Sequence, residues 1–320
     1  MKQIRISAEV ALSGLSLGDC KRGQPAREEG AFRVMDHYWA IGGNTFDSAR
    51  LYDDGGADRA LGKWMHSRGI ARDAIRIVTK GSHPDRRNMF VSRLSPEEIT
   101  RDLDESLLYL GEDYSDLHLL HRDDVAKPVS EIIPALSALV TAGKTRAIGV
   151  SNWTVGRIIE ANEFALANGL EPIRCCQLHF SLAQTTPAQT GDITHVPMNE
   201  IEMTWYRESQ LPIMCFGAQA RGWFAARAEG REPTDSPKKF YDILPENRRR
   251  LVRLQKLAGA LGVSMSAVTT AYVRDRGLNA VVLSSFSRVE QLDEAMEAEK
   301  FALTAAQIAY LETGVGDVTA

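Results

Sequence analysis

The chain predicts a closed (β/α)8 barrel of the TIM type, built as one domain over residues 1–320 with additional helices at its C-terminal end. Three observations carry that prediction. Strand-like runs alternate with helical patterns through eight repeats, the pattern of parallel strands joined by crossover helices. The length of 320 residues exceeds the usual single-domain size, yet closed barrels reach it as one unit. A doubly wound sheet, the rival, normally carries G-x-G-x-x-G, and that pattern does not occur here.

Taken in order, residues 15–19 read as a first strand closing on Gly18, and residues 28–41 as a helix stopped by Gly42-Gly43. Thr45 and Asp47 alternate with Phe46, so a short strand ends near Asp47. Gly55-Gly56 break the chain before Ala60, Leu61 and Trp64, which have helical spacing within residues 57–68. The run Ile75 to Lys80 is the next strand. Ser95-Pro96-Glu97-Glu98 starts a helix with serine as cap, proline in the first turn and Glu98 reaching back to the cap. Ile99, Leu103, Leu107 and Leu110 line one face of that helix, and Gly111 ends it.

The alternation continues with strands ending at His121, Ser151, Gln177 and Phe216, separated by helices over 129–141, 155–168 and 199–209. Helices over 246–261 and 266–274 precede a last strand at 280–283. Helices over 288–297 and 305–312 finish the chain, the latter with Thr304 as cap and Gln307 three residues on.

Composition narrows the function classes. With 44% hydrophobic and 25% charged residues the chain is an ordinary globular protein, and a net charge of −4 gives no reason to expect nucleic acid. Four cysteines show neither metal-site spacing nor a disulfide framework. Cys175 and Cys176 are strand neighbours, so they face opposite ways and read as two buried thiols. No signal peptide or membrane-spanning run is present, which makes a reducing cytoplasm the expected location. Gly143-Lys144-Thr145 lacks the leading glycine of a phosphate loop, and no spacing indicates a metal.

The stretch Asn44-Thr45-Phe46-Asp47-Ser48-Ala49-Arg50-Leu51-Tyr52 resembles the signature of the aldo-keto reductases. Lys80, His121, Ser151-Asn152 and Gln177 follow in the family's order, each at the end of a strand-like run. The resemblance implies NADPH-dependent reduction of an aldehyde or ketone, with NADH as the alternative cofactor. Tyr52 would give the proton, Lys80 would lower the phenol's pKa, Asp47 would hold the lysine, and His121 would orient the carbonyl. Taken singly, Asp47 reads as a turn cap, Lys80 as a solvated strand end and His121 as a structural histidine. Their joint occurrence in register overrides those readings.

By the same resemblance Ser151, Asn152 and Gln177 would hold the nicotinamide carboxamide, and Phe216 would stack on its ring, where the family often has tyrosine. The segment Ser284 to Glu294 is similar to the adenosine-phosphate site, which would use Ser285, Arg288, Gln291 and Glu294. It departs from the family pattern, since Ser285 and Gln291 stand where many relatives have lysine and arginine, and Ala295 replaces an asparagine. Arg288 with its helix N-terminus would then meet the 2′-phosphate. Asp19, Cys20, Trp153, His179 and Trp223 are rim candidates for the substrate, with a packing role the alternative for Trp153. A small-molecule partner is expected, with neither nucleic acid nor membrane. The resemblance also permits a cofactor-binding sensor or regulatory subunit, as in potassium-channel beta subunits, or a dehydrogenase of sugars or other alcohols.

Overall fold

The computed structural model describes residues 1–18, 21–85 and 88–316. The rim candidates Asp19 and Cys20 lie outside the described residues. Among these residues an antiparallel hairpin, β1 (Gln3–Arg5) and β2 (Ala11–Ser13), precedes the barrel. Eight strands then close on themselves: β3 (Leu15–Gly18), β4 (Thr45–Asp47), β5 (Arg76–Gly81), β6 (Leu117–Leu120), β7 (Ile148–Ser151), β8 (Cys175–His179), β9 (Ile213–Phe216) and β10 (Ala280–Ser284). Every neighbouring pair is parallel, and β10 returns to pair with β3.

Helices α1 (Pro25–Ala40), α2 (Gly56–Ser67), α3 (Pro96–Leu110), α4 (Val129–Thr141) and α5 (Val155–Ala167) follow β3 to β7 singly. Between β8 and β9 lie α6 (Pro187–Thr190) and α7 (Glu200–Ser209). Between β9 and β10 lie α8 (Trp223–Ala228), α9 (Asp235–Tyr241), α10 (Pro245–Leu261) and α11 (Met265–Arg274). After β10 come α12 (Val289–Met296) and α13 (Ala305–Thr313).

The helix ends follow local chemistry. Ser95 accepts from the Glu98 backbone while Glu98 reaches back to Ser95, and Gly111 closes α3 in the left-handed conformation (φ 71°). The same reciprocal cap joins Thr304 and Gln307 at α13. Removing a cap such as Ser95 costs about 1 kcal/mol.

Strand alternation divides the core in two. Val78, Leu117, Leu119, Cys175, Met214 and Val281 point inward and cluster with Ile4, Ile6, Val10 and Leu12 of the hairpin. The hairpin therefore plugs the end of the barrel where the strands begin. Alternate residues, including Leu120, Val150, Cys176, Leu178 and Cys215, face outward against the helices. On the other side Phe46 packs on Trp64 of α2, ring centroids 4.9 Å apart. Full burial of one such side chain contributes roughly 1.5–3 kcal/mol. Gly149 is a close approach between strands: a Cβ there would lie 2.4 Å from the Cys175 carbonyl and 2.6 Å from Leu119.

The hairpin, α6, α8 and α9 had no counterpart in the sequence reading. Each is too short to establish a period, and the loops after β8 and β9 are long enough to hide short helices. The strand at β8 also runs two residues beyond Gln177, to His179.

Candidate active site

Continued pairing beyond β4 builds the site. Ser48 N–H donates to the Val78 carbonyl (2.8 Å) and Arg50 N–H to the Lys80 carbonyl (2.9 Å), which carries the chain across β5. Tyr52 then opens a tight turn in which Asp53, Asp54 and Gly55 have φ of 53°, 50° and 78°. Two consecutive non-glycine residues in the left-handed region are strained, and such strain concentrates at functional sites.

Lys80 is fully buried on the inner face of β5. Its Nζ donates to Asp47 Oδ2 at 2.5 Å and lies 5.1 Å from the centre of the Tyr52 ring. Burial pushes the ammonium toward its neutral form, but Asp47 and Tyr52 outweigh that cost and hold its pKa above the ordinary lysine value. The His121 ring stands edge-on to Tyr52, with centroids 5.7 Å apart and planes at 76°. Asp47, Tyr52, Lys80 and His121 are thus brought together from β4, the turn after it, β5 and the end of β6.

The amide and hydroxyl candidates join the same network. Gln177 Nε2 donates to Asp47 Oδ1 (2.9 Å), and Ser151 Oγ donates to the Gln177 carbonyl (2.9 Å). Asn152, at φ 58°, donates through Nδ2 to Ser151 Oγ (2.9 Å) and accepts from Val196 N–H (3.3 Å). Phe216 ends β9 half-buried, its ring 5.4 Å from that of His179 and 5.9 Å from that of His195. The segment after β10 is more open. Ser285, Arg288 and Glu294 are exposed, with Arg288 at the cap position of α12. Gln291 Oε1 accepts from Ser287 N–H (2.9 Å) and Oγ–H (3.1 Å), tying the first turn of α12 to the segment before it.

Trp153 and Trp223 depart from the rim position expected of them. Both are fully buried in the outer cluster, between the barrel and its helices. Arg157 lies over the Trp153 ring at 5.2 Å, and the Trp223 indole N–H donates to Asp242 (2.8 Å). Large indoles following strand ends found deeper packing than the mouth allows, which supports the packing alternative for Trp153. His179 does face inward, two residues beyond Gln177 on the same side of β8.

The family profile described as aldo/keto reductase matches residues 14–314. The chain belongs to that family. This aldo/keto reductase is therefore an oxidoreductase of the class that reduces carbonyl groups with a nicotinamide cofactor. It is 26% identical to an aryl-alcohol dehydrogenase of Pestalotiopsis microspora, over 97% of this chain and 79% of that protein. A norsolorinic acid reductase of Aspergillus flavus is 28% identical, over 94% and 77%. An aldo/keto reductase from Klebsiella pneumoniae, solved with NADP and acetate, shares the fold at a TM-score of 0.72 and 22% identity, covering 97% of this chain and 94% of that one. A thermostable aldo-keto reductase solved with the inhibitor epalrestat gives 0.74 at 20% identity, covering 98% and 99%.

Several residues of the reductase's site escaped the sequence reading. Arg22 is buried and donates to the Asp47 carbonyl at 2.5 Å. Asp58 of α2 is buried behind the tetrad, accepting from Ser48 Oγ–H and from Ser106 Oγ–H (2.9 Å). Burial raises its pKa, and the two serines, Arg22 and Lys80 offset that rise only in part. His83 stands edge-on to His121, with centroids 4.7 Å apart, and its Nδ1 lies 2.7 Å from the Pro84 carbonyl. Ser82, at φ 61°, donates its N–H to Asp102 Oδ2 (2.7 Å), and Asp102 also takes two bonds from Arg93. None of these residues stands in a pattern that spacing alone would single out.

Proposed function

We propose that the chain reduces an aldehyde or ketone with NADPH, Tyr52 giving the proton to the carbonyl oxygen. The observation that carries this reading is Lys80, whose buried ammonium is bonded to Asp47 and lies 5.1 Å from the Tyr52 ring while His121 lies against the same phenol. As negative charge develops on the carbonyl oxygen, the Tyr52 O–H bond breaks toward it and a phenolate is left behind. The Lys80 ammonium stabilises that phenolate, and Asp47 keeps the lysine charged and in place. His121 orients the carbonyl by hydrogen bonding.

The donor set fits a nicotinamide. Ser151, Asn152 and Gln177 are buried and offer both donors and acceptors for a carboxamide, and Phe216 offers a flat, half-buried face. Ser284 Oγ, buried at the end of β10, has no partner among the described residues. When bound, the cofactor supplies the hydride. The rings of Tyr52, His83, His121 and Phe216 around the mouth support a flat carbonyl substrate, in keeping with the aryl-alcohol and norsolorinic acid specificities named for two relatives.

Tyr52→Phe tests the reading. Removing the hydroxyl alone should lower turnover of an activated benzaldehyde by about 10²–10⁴-fold, the usual contribution of a positioned acid. NADPH binding, followed by fluorescence titration, should change less than about twofold because the ring is kept. Unchanged turnover refutes the proton-donor assignment.

A further inference from the structure

A second cluster of polar rings stands beside Phe216. His179 Nε2 lies 2.9 Å from the hydroxyl of Tyr241, at the end of α9, and the two rings are nearly parallel, 28° apart. The Arg221 guanidinium lies near the same phenol and favours its charged form. Among the described residues His179 Nε2 is the one acceptor within hydrogen-bonding distance of the Tyr241 hydroxyl, so the buried phenol proton goes to it. An imidazole that accepts at Nε2 carries its own proton at Nδ1. That Nδ1 has no hydrogen-bond partner among the described residues.

The surroundings keep this imidazole neutral and fixed. Burial, together with His195 and Arg221, holds its pKa down at about 3. The charged and titratable groups around it are Tyr241 and Arg221 on one side, His195 on another, and the Arg122–Asp192 pair beyond His195. Gly217, at φ 84°, leaves it room: a Cβ there would lie 2.6 Å from His179 Nε2. Inward-facing alternation places His179 on the side of β8 that carries Gln177 toward Asp47, and its ring meets the edge of Phe216.

The geometry points to a specificity subsite in which Tyr241 sets the tautomer of His179, whose Nδ1–H donates to a second, uncharged oxygen acceptor on the substrate. This rests on the carbonyl-reductase reading above. The ligand class is a carbonyl compound bearing an ether, hydroxyl or further carbonyl oxygen away from the reacting centre. Carboxylate recognition is not the fit, because the imidazole remains neutral at physiological pH. Tyr241 is a positioning residue, acting through His179.

The experiment pairs kinetics with nitrogen NMR. The three methoxybenzaldehydes are compared with ethylbenzaldehydes of the same shape, so that only an acceptor oxygen differs. The wild-type protein should favour at least one methoxy isomer in kcat/KM, and Tyr241→Phe should cut that ratio about three- to tenfold, the usual worth of one neutral hydrogen bond. His179→Asn, whose Nδ2 stands near the position of Nδ1, should keep more of the preference than His179→Gln. In parallel, ¹⁵N spectra of the wild-type protein should show His179 as the Nδ1–H tautomer with no titration between pH 5 and 8. Tyr241→Phe should shift that tautomer. An Nε2–H tautomer in the wild-type protein, or an unchanged substrate ratio in Tyr241→Phe, overturns the subsite. Absence of turnover with every aldehyde would count against the reductase reading instead, and the NMR result would still decide the donor.

Discussion

The side-chain amide of Gln177 reaches across the barrel to Asp47, its Nε2 standing 2.9 Å from Oδ1. β4 and β8 are separated by three strands on either side of the closed sheet, so this bond is a strut through the interior. Asp47 is left with Oδ2 for Lys80 and Oδ1 for Gln177, and its backbone carbonyl takes Arg22. An acid held at three points fixes the lysine, and through it the phenol.

Asp58 should trade stability for activity. Its folded pKa is raised, so over the window between its unfolded and folded values the native state binds more protons, and stability falls as pH rises through it. Wherever it is ionised, this buried carboxylate is a cost to the fold. Asp58→Asn should melt higher than the wild-type protein at pH 7. It should also leave Lys80 and Arg22 less compensated, making Tyr52 more acidic and moving the pH–rate profile down by roughly one unit. A lower melting temperature together with an unmoved profile would count against this role.

Acid should weaken the fold through its buried histidines. His118 is fully buried, its Nδ1 lies 2.9 Å from Thr79 Oγ1, and burial lowers its pKa to about 4. Between that value and about 6.5 the unfolded chain binds the proton and the folded one does not, so stability drops as pH falls. From pH 7.5 to 5 the cost from this residue is on the order of 2 kcal/mol. Urea unfolding of His118→Gln at both pH values should show a flatter dependence by about that amount. Equal slopes would remove His118 as a cause.

The loop carrying His83 depends on Asp102. This buried carboxylate accepts the Ser82 N–H at a strained φ and two bonds from Arg93. Asp102→Ala should cost about 2–4 kcal/mol in chemical denaturation. At a temperature where both proteins remain folded, KM for the aldehyde should rise several-fold because His83 loses its seat against His121. An unaltered KM would show that the loop keeps its course without the acid.

Arg288 should set cofactor preference. It is exposed at the cap of α12, where a helix N-terminus adds its own attraction for a phosphate. Arg288→Ala should weaken NADPH by about tenfold and NADH by less than about twofold, read by titration at low salt. Equal losses would take Arg288 away from the 2′-phosphate.

Sequence carried the barrel because its evidence is periodic: alternating strands, the capped α3 and the glycine stops all repeat a local rule. Asp47, Tyr52, Lys80 and His121 were legible only as a set, since a strand-end acid or lysine is ordinary by itself. Asp58 and Arg22 were not legible, because their importance comes from burial behind Lys80, which no spacing encodes. Trp153 misled for the opposite reason. It follows Asn152 directly, yet its indole turns outward into the helix layer while the asparagine bonds within the site. The His179–Tyr241 contact joins the end of β8 to the end of α9, a pairing that no spacing encodes.

The hairpin at the chain's start gives the molecule a floor. With Ile4, Ile6, Val10 and Leu12 stopping one end, everything that enters must leave by the same doorway. Cofactor and substrate alike would have to reach Gln177 and Lys80 from the face where the strands end.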